Sequence, residues 1–327
     1  MDGRLMIWTR VSISMLPSAL QNELEGKRVF ITGGTGVFGR WLIQELENTS
    51  CELVLLSRNP AAFLNSVSSD IAKRLVLVEG DICSFEYPEG LFDYIIHAAT
   101  PVVSDSIDDV ALSAVIVSGT SRVLDFASYC CCDRLLYISS GAVYGTQPTG
   151  LERLQETLPC NPISAYGRGK LIAENLCLSS GVKCIVARCF SFVGQGIPLD
   201  AHFAIGNFIG SCLRDEDIII NGDGSPLRSY MYSSDLVEWL IVMLVRAKAG
   251  EIYNVGSDVP ISIADLAQKV RDLSLAKNQI EISLTADKSK AVARYIPCVK
   301  KASRAMSLKL KVDLDHSILK TLRMTCC

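Results

Sequence analysis

The sequence predicts an α/β protein built on a doubly wound parallel sheet, with a smaller lobe supplied mainly by its C-terminal third. Short apolar runs alternate with amphipathic helical stretches from Lys27 to Phe190. The first of those runs passes through a glycine-rich turn directly into a helix, and after Phe190 the rhythm gives way to helices separated by Gly- and Pro-rich loops. Continuous apolar runs are what parallel strands look like when helices cover both faces of the sheet, and such strand–helix–strand units close by right-handed crossovers.

The elements follow in order. Arg28–Thr32 (RVFIT) is strand one and GGTGVFGRWLIQELEN turns it into a helix. CELVLLS, RLVLVEGD and FDYIIHAAT read as strands two to four. A helix from about Val110 to Cys130 leads to strand five, DRLLYISS; AYGRGKLIAENLCLSS is helical, and VKCIVARCF is strand six. Beyond it, helices are expected near 202–214, 233–247 and 262–275. The expected division is an N-terminal arm over 1–26, a nucleotide-binding domain over 27–190, and a mainly substrate-binding lobe over 191–327 that returns in part to the first domain.

Composition narrows the function classes. With 327 residues, 49% apolar and 20% charged, the chain can bury a large core and is not disordered. A formal charge of -3 excludes the broad basic surface that nucleic acids require. The thirteen cysteines include Cys130–Cys131–Cys132 and Cys326–Cys327 but no C-x-x-C pair, and there are three histidines. This is neither a disulfide framework nor a zinc pattern, so free thiols in a reducing cytoplasm and no metal are expected. The apolar patches of the first 26 residues are interrupted by Thr9, Arg10 and Pro17, well short of the ~18 residues that span a bilayer. A loose arm or short docking helix is expected there, with no leader and no membrane partner.

TGGTGVFG sets Gly33, Gly36 and Gly39 three residues apart, after a strand and at the opening of a helix. Gly33 permits the tight turn, Gly36 lets a pyrophosphate approach bare backbone, and Gly39 permits close helix packing. The helix start at Val37 and Phe38 offers free N–H groups and partial positive charge to phosphates. These residues point to a dinucleotide. At the end of strand two, an acidic residue would select NAD by binding the ribose 2′-hydroxyl, whereas a basic one can receive a 2′-phosphate. Ser57-Arg58-Asn59 contains no carboxylate, which favours NADP and leaves NAD open. Asp81 and Ile82 are placed to touch the adenine, and Ala98, Ala99 and Thr100 let the dinucleotide lie close to the sheet.

In S-A-Y-G-R-G-K, Tyr166 and Lys170 are four apart and share a helix face. A free phenol titrates near pH ~10, too high for a base at neutrality, but a neighbouring ammonium favours the phenolate. Gly167 and Gly169 are costly inside a helix and are read as permitting close approach of cofactor or substrate. A hydroxyl at the end of strand five, Ser139 or Ser140, would complete the set.

Taken together, TGGTGVFG, EGD, HAAT, SSGAVYG, YGRGK, the Arg188 strand and RSYMYSSDL resemble the extended short-chain dehydrogenase/reductase family, in its branch of nucleotide-sugar epimerases, dehydratases and reductases. The resemblance spans about residues 27 to 325 and implies a Rossmann-type fold. It implies Ser140 as the catalytic hydroxyl, Tyr166 as acid/base and Lys170 as its partner. It places Arg228 on the substrate diphosphate, where a bidentate guanidinium suits phosphate, and Asn207 and Phe208 beside the diphosphate and nucleoside. The resemblance also implies a homodimer formed through helices 108–131 and 165–180; the alternative is that these apolar helices are covered within the monomer.

Departures separate the activities. Dehydratases of this family follow the catalytic hydroxyl with an Asp-Glu pair and the decarboxylases keep a glutamate there; this chain has Gly141 and Ala142. Ile116 and Ser191 replace two family asparagines. The expected activity is therefore NAD(P)-dependent epimerisation or 4-ketoreduction of a nucleotide sugar, with hydride transfer at C4. The alternatives are a dehydratase-type lyase drawing on Glu152 or Glu156, an enzyme of a non-nucleotide ketone or aldehyde, and a non-enzymatic cofactor-binding scaffold.

Overall fold

The computed structural model describes residues 16–101, 108–200, 203–286 and 291–325. In chain order the elements are α1 (Ser18–Leu24), β1 (Arg28–Thr32), α2 (Val37–Leu46), β2 (Glu52–Ser57), α3 (Pro60–Leu64), α4 (Ser69–Ala72), β3 (Leu75–Glu79), β4 (Tyr94–His97), α5 (Asp109–Tyr129) and β5 (Arg134–Ser140). A 3-10 turn, Gly141–Tyr144, precedes α6 (Ala165–Ser179), β6 (Cys184–Cys189), β7 (Phe192–Val193), α7 (Ala204–Leu213), β8 (Ile218–Ile220), β9 (Leu227–Arg228), β10 (Met231–Tyr232) and α8 (Ser233–Arg246). The chain closes with β11 (Ile252–Val255), β12 (Ile261–Ser262), α9 (Ile263–Ser274), β13 (Ile280–Ile282), β14 (Arg294–Tyr295), α10 (Lys300–Met306) and α11 (Leu314–Thr325).

The seven-stranded sheet has the order β3-β2-β1-β4-β5-β6-β11. Strands β1 to β5 pair in parallel, so the order reverses between β1 and β4. That reversal is the doubly wound switch point, where loops at the carboxyl ends of the strands diverge and leave a crevice.

The chain forms two compact units. The first comprises Met1–Gly145, Cys160–Arg188 and Val237–Tyr253; the second Thr146–Pro159, Cys189–Leu236 and Asn254–Cys327. In the first, Phe30 of β1 lies among Phe85, Phe92 and Phe126 with ring centroids 5.7, 5.6 and 4.8 Å away. Each such buried ring contributes roughly 1.5–3 kcal/mol. Helix α5 is long and apolar enough to cross a membrane by length and composition. In this fold its Leu112, Ile116, Val123, Leu124 and Phe126 lie in the sheet-covering core. Of residues 1–26, the first fifteen lie outside the described residues; α1 buries Leu20 and Leu24, and Glu23 pairs with Arg246. In the second unit, short two- and three-stranded sheets surround α7, α9 and α11.

A buried histidine ties the switch point together. His97, at the end of β4, is 2% exposed. Its Nδ1 is 2.8 Å from Thr32 Oγ1 and its Nε2 3.0 Å from Thr120 Oγ1. Thr120 donates its own proton to the Ile116 carbonyl, so it accepts from Nε2–H, and Thr32 donates to Nδ1. Ala99 N–H in turn donates to Thr32 Oγ1 at 3.3 Å. Every proton in this chain is used by a neutral imidazole, and burial, with the Lys170 charge second, holds the His97 pKa down at about 3.

Between about pH 6.5 and 3 the unfolded chain therefore binds a proton that the folded chain refuses, and stability falls as pH drops through that window. His97→Gln removes this contribution. Urea titrations at a series of pH values should show the stability gap between wild type and variant constant above the window and shrinking as pH falls through it, by up to about 1.4 kcal/mol per pH unit. A gap that does not change with pH would contradict the buried neutral imidazole.

Candidate active site

The glycine turn joins β1 to α2 at the switch point. Gly33 has φ +74°, and a Cβ there would lie 2.5 Å from Ala99 N and 2.6 Å from Ala98 C. The turn thus rests directly on the Ala98–Ala99 backbone, whose Ala98 N–H donates to the Thr32 carbonyl at 3.2 Å. A Cβ on Gly39 would lie 2.2 Å from Gly34 Cα, so this glycine lets the first turn of α2 pack on the glycine turn itself. A Cβ on Gly36 would meet nothing nearer than Gly33 O at 3.4 Å, which leaves an open backbone face. Helix α2, opening at Val37 and Phe38, has no side-chain cap, whereas Asp108, Ser164 and Ser262 cap α5, α6 and α9. An uncapped helix start beside a bare glycine face fits the diphosphate of a dinucleotide. At Gly34, which was not singled out in the sequence, a Cβ would lie 1.9 Å from Leu55 Cδ1, a side-chain contact rather than the backbone contacts met at Gly33 and Gly39.

The remaining cofactor candidates stand at neighbouring strand ends. Ser57 is buried and its hydroxyl accepts from Asn59 N–H, while Asn59 caps α3. Arg58 is exposed. Asp81 is exposed and its carboxylate accepts from Cys83 N–H, and Ile82 packs where a Cβ on Gly119 would stand. Ala98, Ala99 and Thr100 are half-buried.

Ser140 ends β5, and its Oγ accepts from Ala142 N–H at 3.2 Å, which turns the chain into the 3-10 segment. Tyr166 stands in the first turn of α6, which Ser164 caps by accepting Gly167 N–H. Lys170 is 2% exposed; its Nζ donates to the Ile138 carbonyl at 2.7 Å and lies 5.9 Å from the Tyr166 ring centroid. Lys170 therefore connects the tyrosine's helix to the strand that ends at Ser140. The two helix glycines serve a different purpose from the close ligand approach expected of them. A Cβ on Gly167 would lie 2.7 Å from Ala142 O, and one on Gly169 3.1 Å from Ser113 Cα. They allow α6 to seat against the turn after Ser140 and against α5, which is protein packing.

The sequence reading named Ser139 as an alternative strand-end hydroxyl and Arg188 as a family mark, but not Glu174 or the cluster that the three form. Ser139, Glu174 and Arg188 form a buried cluster in which Arg188 Nε and Nη2 donate to Glu174 at 3.0 and 2.7 Å, and Ser139 Oγ donates to Glu174 Oε1. Burial lowers the Arg188 pKa, but the Glu174 carboxylate outweighs it and holds the guanidinium charged. The signals were a carboxylate one turn beyond Lys170 and a lone cation in an apolar strand.

In the second unit, Arg228 on β9 borders a cleft of about 420 Å³ together with Asn207, Phe208, Gly222 and Gly224. Asn207 Oδ1 is buried with no hydrogen-bond partner among the described residues. Asp235 accepts the N–H groups of Lys311 and Val312, and Tyr232 OH contacts Met324 Sδ, so both have structural work. Glu156 accepts Asn254 N–H at 2.9 Å, and Glu152 pairs with Arg153 at the surface.

Comparison with known proteins identifies the family. Residues 29–256 match the model of the NAD-dependent epimerase/dehydratase family. The chain is 26% identical over 318 residues to UDP-glucuronic acid decarboxylase 6 of Arabidopsis thaliana, covering 93% of this chain and 91% of the relative. It is 24% identical over 315 residues to dTDP-D-glucose 4,6-dehydratase of Mus musculus, covering 90% and 87%. Its fold is similar to that of a UDP-N-acetylglucosamine 4-epimerase from Methanobrevibacter ruminantium, with a TM-score of 0.82, 18% identity and coverage of 92% and 99%. A glycine turn seated on Ala98–Ala99, a tyrosine and lysine on one face of α6 and a match across most of the chain thus lead to one conclusion: this is an enzyme of the NAD-dependent epimerase/dehydratase family, within the extended short-chain dehydrogenase/reductases.

Proposed function

We propose that the protein is a nucleotide-sugar 4-epimerase or 4-ketoreductase. The observation that carries this reading is a complete Ser140–Tyr166–Lys170 set followed by Gly141 and Ala142, neither of which can move a proton. A nicotinamide dinucleotide bound on the glycine turn supplies or accepts the hydride. Tyr166 takes the proton from the sugar hydroxyl, or returns one to the keto oxygen. Ser140 donates a hydrogen bond to that same oxygen and steadies its developing charge. The Lys170 ammonium favours the phenolate form of Tyr166. Arg228 holds the substrate diphosphate, with Asn207 and Phe208 at the nucleoside.

The similarity to decarboxylases and dehydratases supports a second reading, a lyase of the same substrates with displaced acid/base groups. The work of Glu156 and Glu152 elsewhere counts against it. Arg58, exposed and without a carboxylate at its strand end, supports NADP over NAD. Exposed Val110 on α5 and Ile172 on α6 support a homodimer through those helices. The described cysteines, all free thiols, support a reducing, cytoplasmic setting.

Incubation with a panel of nucleotide sugars and their 4-keto derivatives, followed by NMR at C4, separates the activities. Inversion without net NADPH consumption means an epimerase and stoichiometric consumption a reductase, whereas a 6-deoxy-4-keto product or loss of CO2 would overturn the proposal. Tyr166→Phe should lower kcat by about 100-fold or more with dinucleotide affinity unchanged. Arg58→Ala should weaken NADP about tenfold and leave NAD within about twofold; equal effects on the two would remove the case for NADP. Arg228→Leu should raise the sugar-nucleotide KM about tenfold or more without altering dinucleotide binding.

A further inference from the structure

Surface ion pairs in this protein, such as Lys27–Asp93, leave about a third of each side chain in water, but Arg188 and Glu174 are 4% and 1% exposed. A buried pair of this kind costs desolvation that its own attraction barely offsets, and well-packed apolar residues would often serve stability as well. Its surroundings indicate another role. Tyr166, Lys170 and Glu174 recur at four-residue intervals on one face of α6. Lys170 is bonded to the Ile138 carbonyl and Glu174 to the Ser139 hydroxyl, so two consecutive residues of β5 are pinned to that face immediately before Ser140. Arg188, which grips Glu174 through two nitrogens, also places its guanidinium carbon 4.8 Å over the ring of Tyr144, in the turn that follows Ser140.

From this arrangement we infer that Glu174, locked by Arg188 and acting through Ser139, is a positioning residue that sets where Tyr166 stands relative to Ser140. One polar cluster holds the strand before the serine, the turn after it and the helix that carries the tyrosine. Added to the packing at Gly167 and Gly169, polar bonds one turn apart fix both the rotation and the register of α6 on β5. Acid/base transfer is sensitive to displacements of this size, since a misplacement of about 1 Å can cost about 100-fold in rate. This inference rests on the acid/base role proposed for Tyr166 and extends it to residues that touch neither substrate nor cofactor.

The test uses two variants of the full chain. Glu174→Leu with Arg188→Met removes both charges together and fills the space with apolar atoms, so that folding survives; Ser139→Ala removes one hydroxyl and leaves the ion pair intact. Thermal unfolding and dinucleotide affinity should remain close to wild type. With a nucleotide sugar that the wild type converts, kcat should fall about tenfold or more in the double variant and about threefold or more in Ser139→Ala, while KM stays within about twofold. The phenolate absorbance that Tyr166→Phe deletes should have its pH midpoint displaced by about half a unit or more in the double variant. Folded variants with wild-type kcat and an unmoved midpoint would overturn the inference, and if the double variant fails to fold, Ser139→Ala decides through kcat. Absence of wild-type turnover on every sugar nucleotide would fail the functional proposal instead, and the phenolate midpoint would then decide the positioning role by itself.

Discussion

The seating of α6 on the end of β5 is the constraint that holds Lys170 and Tyr166 against the strand ending at Ser140. Lys170 gives up its water to donate to the Ile138 carbonyl, and this is possible only because α6 comes close enough for a buried side chain to reach the strand backbone. Gly167 and Gly169 supply that closeness, since a methyl group at either position would press on the Ala142 carbonyl or on Ser113. Two residues that weaken a helix by propensity thus strengthen its contact with the sheet. The ammonium held in this way is fixed close to the Tyr166 ring, and a fixed charge shifts a proton equilibrium more effectively than a mobile one.

The same economy governs the dinucleotide side. The glycine turn rests on Ala98 and Ala99, and the end of β4 that carries them is held by a relay running from Ala99 through Thr32, His97 and Thr120 to the Ile116 carbonyl. A neutral imidazole satisfies each partner, so strands β1 and β4 and helix α5 are joined at the switch point by polar bonds that leave no charge in the core.

Much of the first unit was legible from sequence. Strand and helix periods placed β1 to β6, α5 and α6 within a few residues, because apolar runs bounded by turns are a local property of the chain. The spacings of Gly33, Gly36, Gly39, Tyr166 and Lys170 were legible for the same reason: intervals of three or four residues are local. The second unit was less so. Its two- and three-residue strands β7, β9, β10, β12 and β14 are too short to carry a pattern, and they exist only because distant segments supply their hydrogen-bond partners.

What the sequence determined by itself is the order of elements, the dinucleotide turn and the pairing of a tyrosine with a lysine on one helical face, all set by interactions within a turn or a strand. The tertiary structure alone decided what Gly167 and Gly169 are for, that His97 is held neutral, and that Ser139, Glu174 and Arg188 meet beneath the site. Those outcomes join residues up to 65 positions apart in the chain, from Thr32 to His97. Their chemistry depends on desolvation, and burial is a property of the assembled core that no local spacing encodes.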